Sequence, residues 1–137
     1  KLREAGAEYG ATTGRPRRCG WFDALLVRYS ARINGISRTF LTKLDVLDSL
    51  EELKICTSYD FEGSSLNDYP ASLDAMFRVE PKYETLPGWQ KSTKEARRKE
   101  DLPPRALDYI RRIEDLTGVR VAGASVGSSR EEMVFLD

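Results

Sequence analysis

Histidine is missing from these 137 residues, and with it the side chain that most often serves as general acid, general base or metal ligand near neutral pH. Cysteine is scarce. Cys19 and Cys56 lack the close spacing of a metal or redox motif and are too few for a disulfide framework, so both are expected as free, reduced thiols. No charge is in surplus, since 22 Lys+Arg balance 22 Asp+Glu, and any binding of anions must come from a local patch. No apolar run approaches bilayer length, and the first residues lack the apolar stretch of a signal peptide, so a cytoplasmic chain with no membrane partner is expected. A G-x-x-x-x-G-K phosphate loop is also absent. The length is that of one ordinary domain and is short for a complete nucleotide-using enzyme.

What the chain has is a local concentration of arginine. In "GATTGRPRRCGWFD", Gly10 to Asp23, three arginines follow a run of small residues. Thr12, Thr13 and Gly14 offer hydroxyls and open backbone N–H groups beside Arg15, Arg17 and Arg18, and Pro16 fixes one backbone angle between two guanidinium groups. Planar guanidinium forks match carboxylates and phosphates in bidentate pairs, which suits a small ligand with several acidic groups. A solvated basic loop and an RNA-binding patch are the alternatives. The even charge balance and the lack of aromatic residues among these arginines speak against nucleic acid.

Periodicity predicts alternating helices and strands. Asp23 caps a helix from Ala24 to about Ile33 that Asn34-Gly35 ends, with Phe22, Leu26, Tyr29 and Ile33 as its apolar face. "ISRTFLTKLD" reads as a buried strand from Ile36 into Lys43, followed by a short helix capped by Asp45. "ELKICTSYDF" reads as a second strand and "EGSSLNDYP" as a hairpin or loop. A short helix is expected over Ala71 to Phe77 and an edge strand in "KYETLPGW". Lys91 to Glu100 reads as a solvated connection with no apolar face. Pro103-Pro104 starts a last helix with the stripe Ala106, Tyr109, Ile110, Ile113 and Leu116, ended by Gly118. A strand from Val119 to Val126 and a short one in "EMVFLD" complete an α/β pattern whose strand order the sequence leaves open.

Two further stretches have chemical potential. In "TKLDVLD", the carboxylate of Asp45 can accept both the ring N–H and the exocyclic amino group of guanine while the stem of Lys43 lies over the ring, the logic of the guanine-reading motif of GTP-binding proteins. A plain helix N-cap is the other role open to Asp45. In "ASVGSSR" a strand runs into a glycine turn whose backbone can approach a ligand closely, or which is an ordinary turn.

Taken in order and spacing, "EYGATTGRPRRCGWFD", "ALLVRYSARINGI", "LTKLDVLD", "ELKIC", "LPGW", "YIRRIEDLTGV" and "SVG" resemble the C-terminal portion of the adenylosuccinate synthetase family, from Arg3 to the end of the chain. The resemblance implies a mixed-sheet α/β enzyme related to the P-loop GTPases, a homodimer, and a GTP-dependent ligase that joins inosine monophosphate (IMP) to L-aspartate with magnesium as cofactor. It places Ala11, Thr12, Thr13, Gly14, Arg15, Pro16 and Arg17 in a loop that closes over L-aspartate, with Arg15 also reaching IMP and Arg17 contacting GTP. It matches Lys43, Leu44 and Asp45 to guanine recognition, and Ser125, Val126 and Gly127 to the wall of the base pocket. The family commonly continues that turn with Pro-Asp, where this chain has Ser128 and Ser129. By the same resemblance 1–22 holds the aspartate loop, 36–58 the guanine motif between two strands, 59–100 a loop-rich excursion, and 101–137 the last helix and terminal strands. The phosphate loop, the catalytic aspartate and histidine, and the magnesium ligands of the family lie in its N-terminal part, so these 137 residues are expected to supply no catalytic or metal-binding residue and to be inactive alone. A non-catalytic guanine-nucleotide-binding or structural fragment is the alternative.

Overall fold

The structure, a computed structural model, describes residues 2–70 and 72–137. After a four-residue helix α1 (Leu2–Ala5) and the arginine loop, strand β1 (Phe22–Asp23) leads directly into helix α2 (Ala24–Asn34). Both ends of α2 follow local chemistry: Asp23 accepts the Leu26 N–H at 3.1 Å, and Gly35 takes the left-handed conformation (φ 64°) that closes the last turn. Its buried face, however, is Ala24, Leu25 and Ala31, while Leu26 and Ile33 are largely exposed. Apolar residues occur on more than one side of this helix, and the side carrying Leu25 is the one that packs against Cys56 and Tyr59.

Two sheets organise the rest. In the first, β3 (Glu52–Phe61) is central, paired antiparallel along its length with β5 (Glu80–Pro87) and, on its other edge, with β1 in parallel and β4 (Ser64–Leu66) in a hairpin. A register irregularity between Cys56 and Ser58 interrupts the expected alternation, so Leu53, Ile55, Cys56 and Tyr59 are the buried positions. The short helix α3 (Leu73–Arg78) between β4 and β5 is capped by Ser72; its expected start at Ala71 lies outside the described residues. Gly88 follows β5 where a Cβ would collide with the Leu50 carbonyl, so glycine lets the chain pass close enough for its N–H to donate to Glu51 O at 2.7 Å.

In the second sheet β6 (Arg120–Ser125) lies between β2 (Arg38–Leu41), its parallel neighbour, and the antiparallel β7 (Met133–Phe135). The stretch expected as a buried strand from Ile36 to Lys43 is shorter and more exposed: Ile36 and Phe40 are each more than two-fifths accessible, because β2 has a partner on only one side. Helix α4 (Pro104–Thr117) buries Ala106, Tyr109, Ile110 and Ile113 in a core shared with Leu53 and Ile55 of one sheet and Val121, Ala124 and Val134 of the other. Its capping Gly118 sits at φ 69°. Arg112 grips Glu84 of β5 with three contacts between 2.7 and 3.1 Å, tying helix to sheet.

The Lys91–Glu100 connection is not wholly solvated. Thr93 and Ala96 are 1% and 4% exposed. The anchor is Asp48, whose carboxylate accepts from Trp89 Nε1 (2.7 Å), Thr93 N (2.7 Å) and Thr93 Oγ1 (2.9 Å).

Candidate functional site

Strands β2 and β6 run in parallel with Leu41 opposite Ala124, so the residues just beyond them gather at one carboxyl end. That is where open α/β sheets bind ligands. Ser125 ends β6 and its Oγ accepts the Lys43 backbone N–H at 2.8 Å, fastening the two strand ends together. Lys43 itself is in the left-handed region (φ 61°, ψ 43°), a conformation that a non-glycine residue holds only against local cost. Its ammonium donates to Gly6 O at 2.6 Å and pairs with the Glu8 carboxylate.

Asp45 does not cap a helix. A 3-10 turn spans Leu44–Leu47 with Lys43 in the cap position, so Asp45 lies inside the turn. Its side chain is half-buried and its carboxylate has no hydrogen bond among the described residues. Leu44 is buried in the core and holds the turn in place. Val126 is fully buried, and Gly127 passes so close to the Glu132 carboxylate that an added Cβ would displace it. Glu132 accepts the Ser129 N–H at 2.7 Å, and the backbone and hydroxyl of Ser129 hold its carboxyl below the usual carboxylate range. With Ser128 and Ser129 in place of Pro-Asp, this bond closes the turn after Gly127.

The arginine loop is a hairpin-like excursion pinned at its base. Tyr9 bridges Pro16, Gly10 N donates to Arg15 O (2.8 Å), Arg17 N donates to Glu8 O (2.9 Å), and Gly14 at φ 62° turns the tip. Ala11, Thr12, Thr13, Gly14, Arg15 and Pro16 are all exposed. Thr13 Oγ1 accepts the Arg15 N–H at 3.4 Å, and the Arg15 guanidinium has no partner among the described residues. Arg17 belongs to the stem: Nη1 donates to Glu8 Oε2 at 3.0 Å.

The stem of the loop and the strand end therefore meet at Glu8, a residue that sequence reasoning left unassigned. Its two cationic partners, Lys43 first and Arg17 second, hold its carboxyl below the usual range. A cavity of about 390 Å³ opens beside this junction, between Glu8 and Arg17 on one side and Thr42 and Lys43 on the other, floored by Leu47 and Tyr109. Asp45, Ser125 and Gly127 do not line it, and the loop tip stands away from it. A larger cavity of about 520 Å³ lies at the opposite end of β6, against Ile110, Glu114 and Arg120, and none of the candidate site residues line it. The described residues contain no group of three or more His, Cys, Asp or Glu that could hold a metal ion. No helix among them is long and apolar enough to cross a membrane.

These features define a mixed α/β region whose candidate site lies where a parallel strand pair ends against an arginine-bearing loop. A family model for adenylosuccinate synthetase matches residues 1–134. The chain belongs to the adenylosuccinate synthetase family. It is 49% identical over 136 residues to an adenylosuccinate synthetase of Geotalea daltonii, covering 99% of this chain and 32% of the relative. With adenylosuccinate synthetase 1 of Chromobacterium violaceum the identity is 54%, at the same coverage of 99% and 32%. A solved structure of fully ligated adenylosuccinate synthetase from Plasmodium falciparum superimposes with a TM-score of 0.93 at 38% identity, over 99% of this chain and 33% of that one. The chain thus spans about a third of the length of the relatives it matches.

Proposed function

We propose that these residues form the aspartate-binding and guanine-reading part of a GTP-dependent ligase that joins IMP and L-aspartate into adenylosuccinate, releasing GDP and phosphate. The observation that carries the reading is the junction at Lys43, where backbone N–H, Ser125 hydroxyl, ammonium and Glu8 carboxylate bring three stretches distant in sequence to one strand end. In this reading the stem of Lys43 lies along the guanine ring, and the unbonded carboxylate of Asp45 accepts the ring N–H and the exocyclic amine. Ser125, Val126 and Gly127 wall the base, with Leu44 holding the turn that presents Asp45.

The exposed loop tip supplies the acid-binding half. Thr12 and Thr13 hydroxyls and the open N–H groups from Ala11 to Thr13 take the carboxylates of L-aspartate, and the unpartnered guanidinium of Arg15 adds a bidentate contact that also reaches IMP. Arg17 retains donors beyond the one given to Glu8 and turns them to GTP. GTP phosphorylates the 6-oxygen of IMP and the aspartate amine then displaces phosphate; these residues bind and orient the reactants, and the groups that carry the phosphoryl transfer belong to the rest of a homodimeric enzyme. The test is turnover by the full-length protein carrying these residues, followed as formation of adenylosuccinate from IMP, L-aspartate and GTP. Absence of product together with retained GTP binding would replace the ligase by a non-catalytic guanine-nucleotide-binding protein.

A further inference from the structure

Among the described residues Glu8 alone touches both cationic ends of the site, Arg17 and Lys43. Oε2 accepts from Arg17 and Oε1 pairs with Lys43, so one carboxylate bridges the loop stem and the strand end. The backbone reinforces the contact, because Arg17 N donates to Glu8 O at 2.9 Å and Glu8 N donates to Arg3 O at 2.8 Å. Glu8 is the least exposed of the three, its side chain 24% accessible against 56% for Arg17 and 45% for Lys43.

The division of donors is informative. The Lys43 ammonium is engaged by Gly6 O and Glu8, which pins the far end of a flexible four-carbon stem and leaves its methylenes as a fixed apolar strip. Arg17 gives only Nη1 to Glu8 and keeps the remainder of its fork for an anion. Without the carboxylate, two cations would face one another across the junction, and the lysine stem would regain its rotamer freedom.

We propose that Glu8 is a positioning residue for the nucleotide, holding the Lys43 stem and the Arg17 fork in the arrangement that GTP requires. This rests on the guanine reading of the same site. Such a residue acts on the binding of one substrate and does so through Lys43 and Arg17, so its loss is felt by any purine triphosphate that uses them and not by IMP.

The experiment uses the full-length protein carrying these residues and compares wild type, Glu8→Gln and Glu8→Asp. Glutamine keeps shape and one acceptor but removes the charge; aspartate keeps the charge but shortens the reach. The expected result for Glu8→Gln is a KM for GTP raised about threefold or more, the scale of a partly screened ion pair. The KM for ITP rises by the same factor, the KM for IMP stays unchanged and the melting midpoint does not move. Glu8→Asp falls between wild type and Glu8→Gln. An unchanged KM for GTP, an equal rise for all three substrates, or losses that track a lowered melting midpoint would overturn the proposal. A wild type that binds no GTP removes the guanine reading itself and this inference with it, whereas an active wild type with an unaffected Glu8→Gln removes the Glu8 proposal alone.

Discussion

Replacing Asp48 by alanine isolates the interaction that ties the 3-10 turn after β2 to the connection before α4. The carboxylate accepts two N–H groups at 2.7 Å, from Trp89 and Thr93, and the Thr93 hydroxyl at 2.9 Å. Both donor residues are almost inaccessible, Trp89 at 7% and Thr93 at 1%, so water cannot readily replace the lost acceptor. The Thr93 hydroxyl can rotate to another partner, but the two N–H groups are fixed, and a buried donor left without a partner costs about 1 to 3 kcal/mol. Asp48→Ala is therefore expected to destabilise by about 2 to 5 kcal/mol, and Asp48→Asn, which keeps one acceptor oxygen, by about half as much. Urea unfolding of the full chain measures this as a lower midpoint at unchanged slope. Asp45→Ala is the internal control, since that carboxylate has no hydrogen bond among the described residues. If Asp48→Ala loses less than about 1 kcal/mol, or no more than Asp45→Ala, the anchoring argument is wrong.

Other outcomes bear on the site and its surroundings. Asp45→Asn turns one acceptor into a donor, so use of GTP by the full-length protein should fall at least about tenfold while XTP, with an oxygen in place of the amine, gains; equal losses for both nucleotides would take Asp45 out of the base pocket. Arg15→Leu removes a guanidinium with no internal partner, and the KM for L-aspartate should rise about tenfold or more without loss of stability; an unchanged KM would leave the loop tip without its assigned ligand. Cys56 is 2% exposed, and burial, with the Asp23 carboxylate beside it, pushes its thiol up to about 11, whereas Cys19 is exposed. Native protein near neutral pH should thus show Cys19 reacting with a disulfide reagent and Cys56 reacting only after unfolding, and equal rates for both would contradict the burial.

Whatever a few neighbouring residues decide was legible in the sequence. The Asp23 cap and Gly35 stop of α2, and the proline start and Gly118 stop of α4, are local hydrogen-bond and backbone requirements. The side of α2 that would be buried was not, because Leu25 and Leu26 both sit in plausible stripes and only the arrival of β3 selects Leu25. Thr93 and Ala96 gave no warning of burial either. Small or polar, they carry little hydrophobic signal; Thr93 is held inside by a carboxylate 45 residues away, and Ala96, whose N–H donates to Thr93 O, packs into the core beside it. Glu8 falls in the same class: its partner Lys43 is 35 residues distant, and no spacing rule links them. A carboxylate shortly before an arginine cluster was the available signal, and it points as readily to a solvated ion pair.

Lys43 shows why the site resisted local reading most. By helix chemistry Asp45 should begin a helix as its cap, with Lys43 still in the strand. The chain instead places Lys43 in the left-handed region, at a cost on the order of 1 to 3 kcal/mol for a residue other than glycine, and starts the turn at Leu44. The arrangement persists because tertiary contacts absent from any local window hold it: the Ser125 hydroxyl on the backbone, Gly6 O and Glu8 on the ammonium, and Leu44 in the core. Its consequence is that the Asp45 carboxylate, released from capping, is left half-buried and unbonded at the carboxyl end of a parallel strand pair. A break in local propensity, offset by several long-range bonds and leaving a free acceptor group, is the pattern expected where a chain gives up local preference for function, and it is the reason Asp45 is the residue to test.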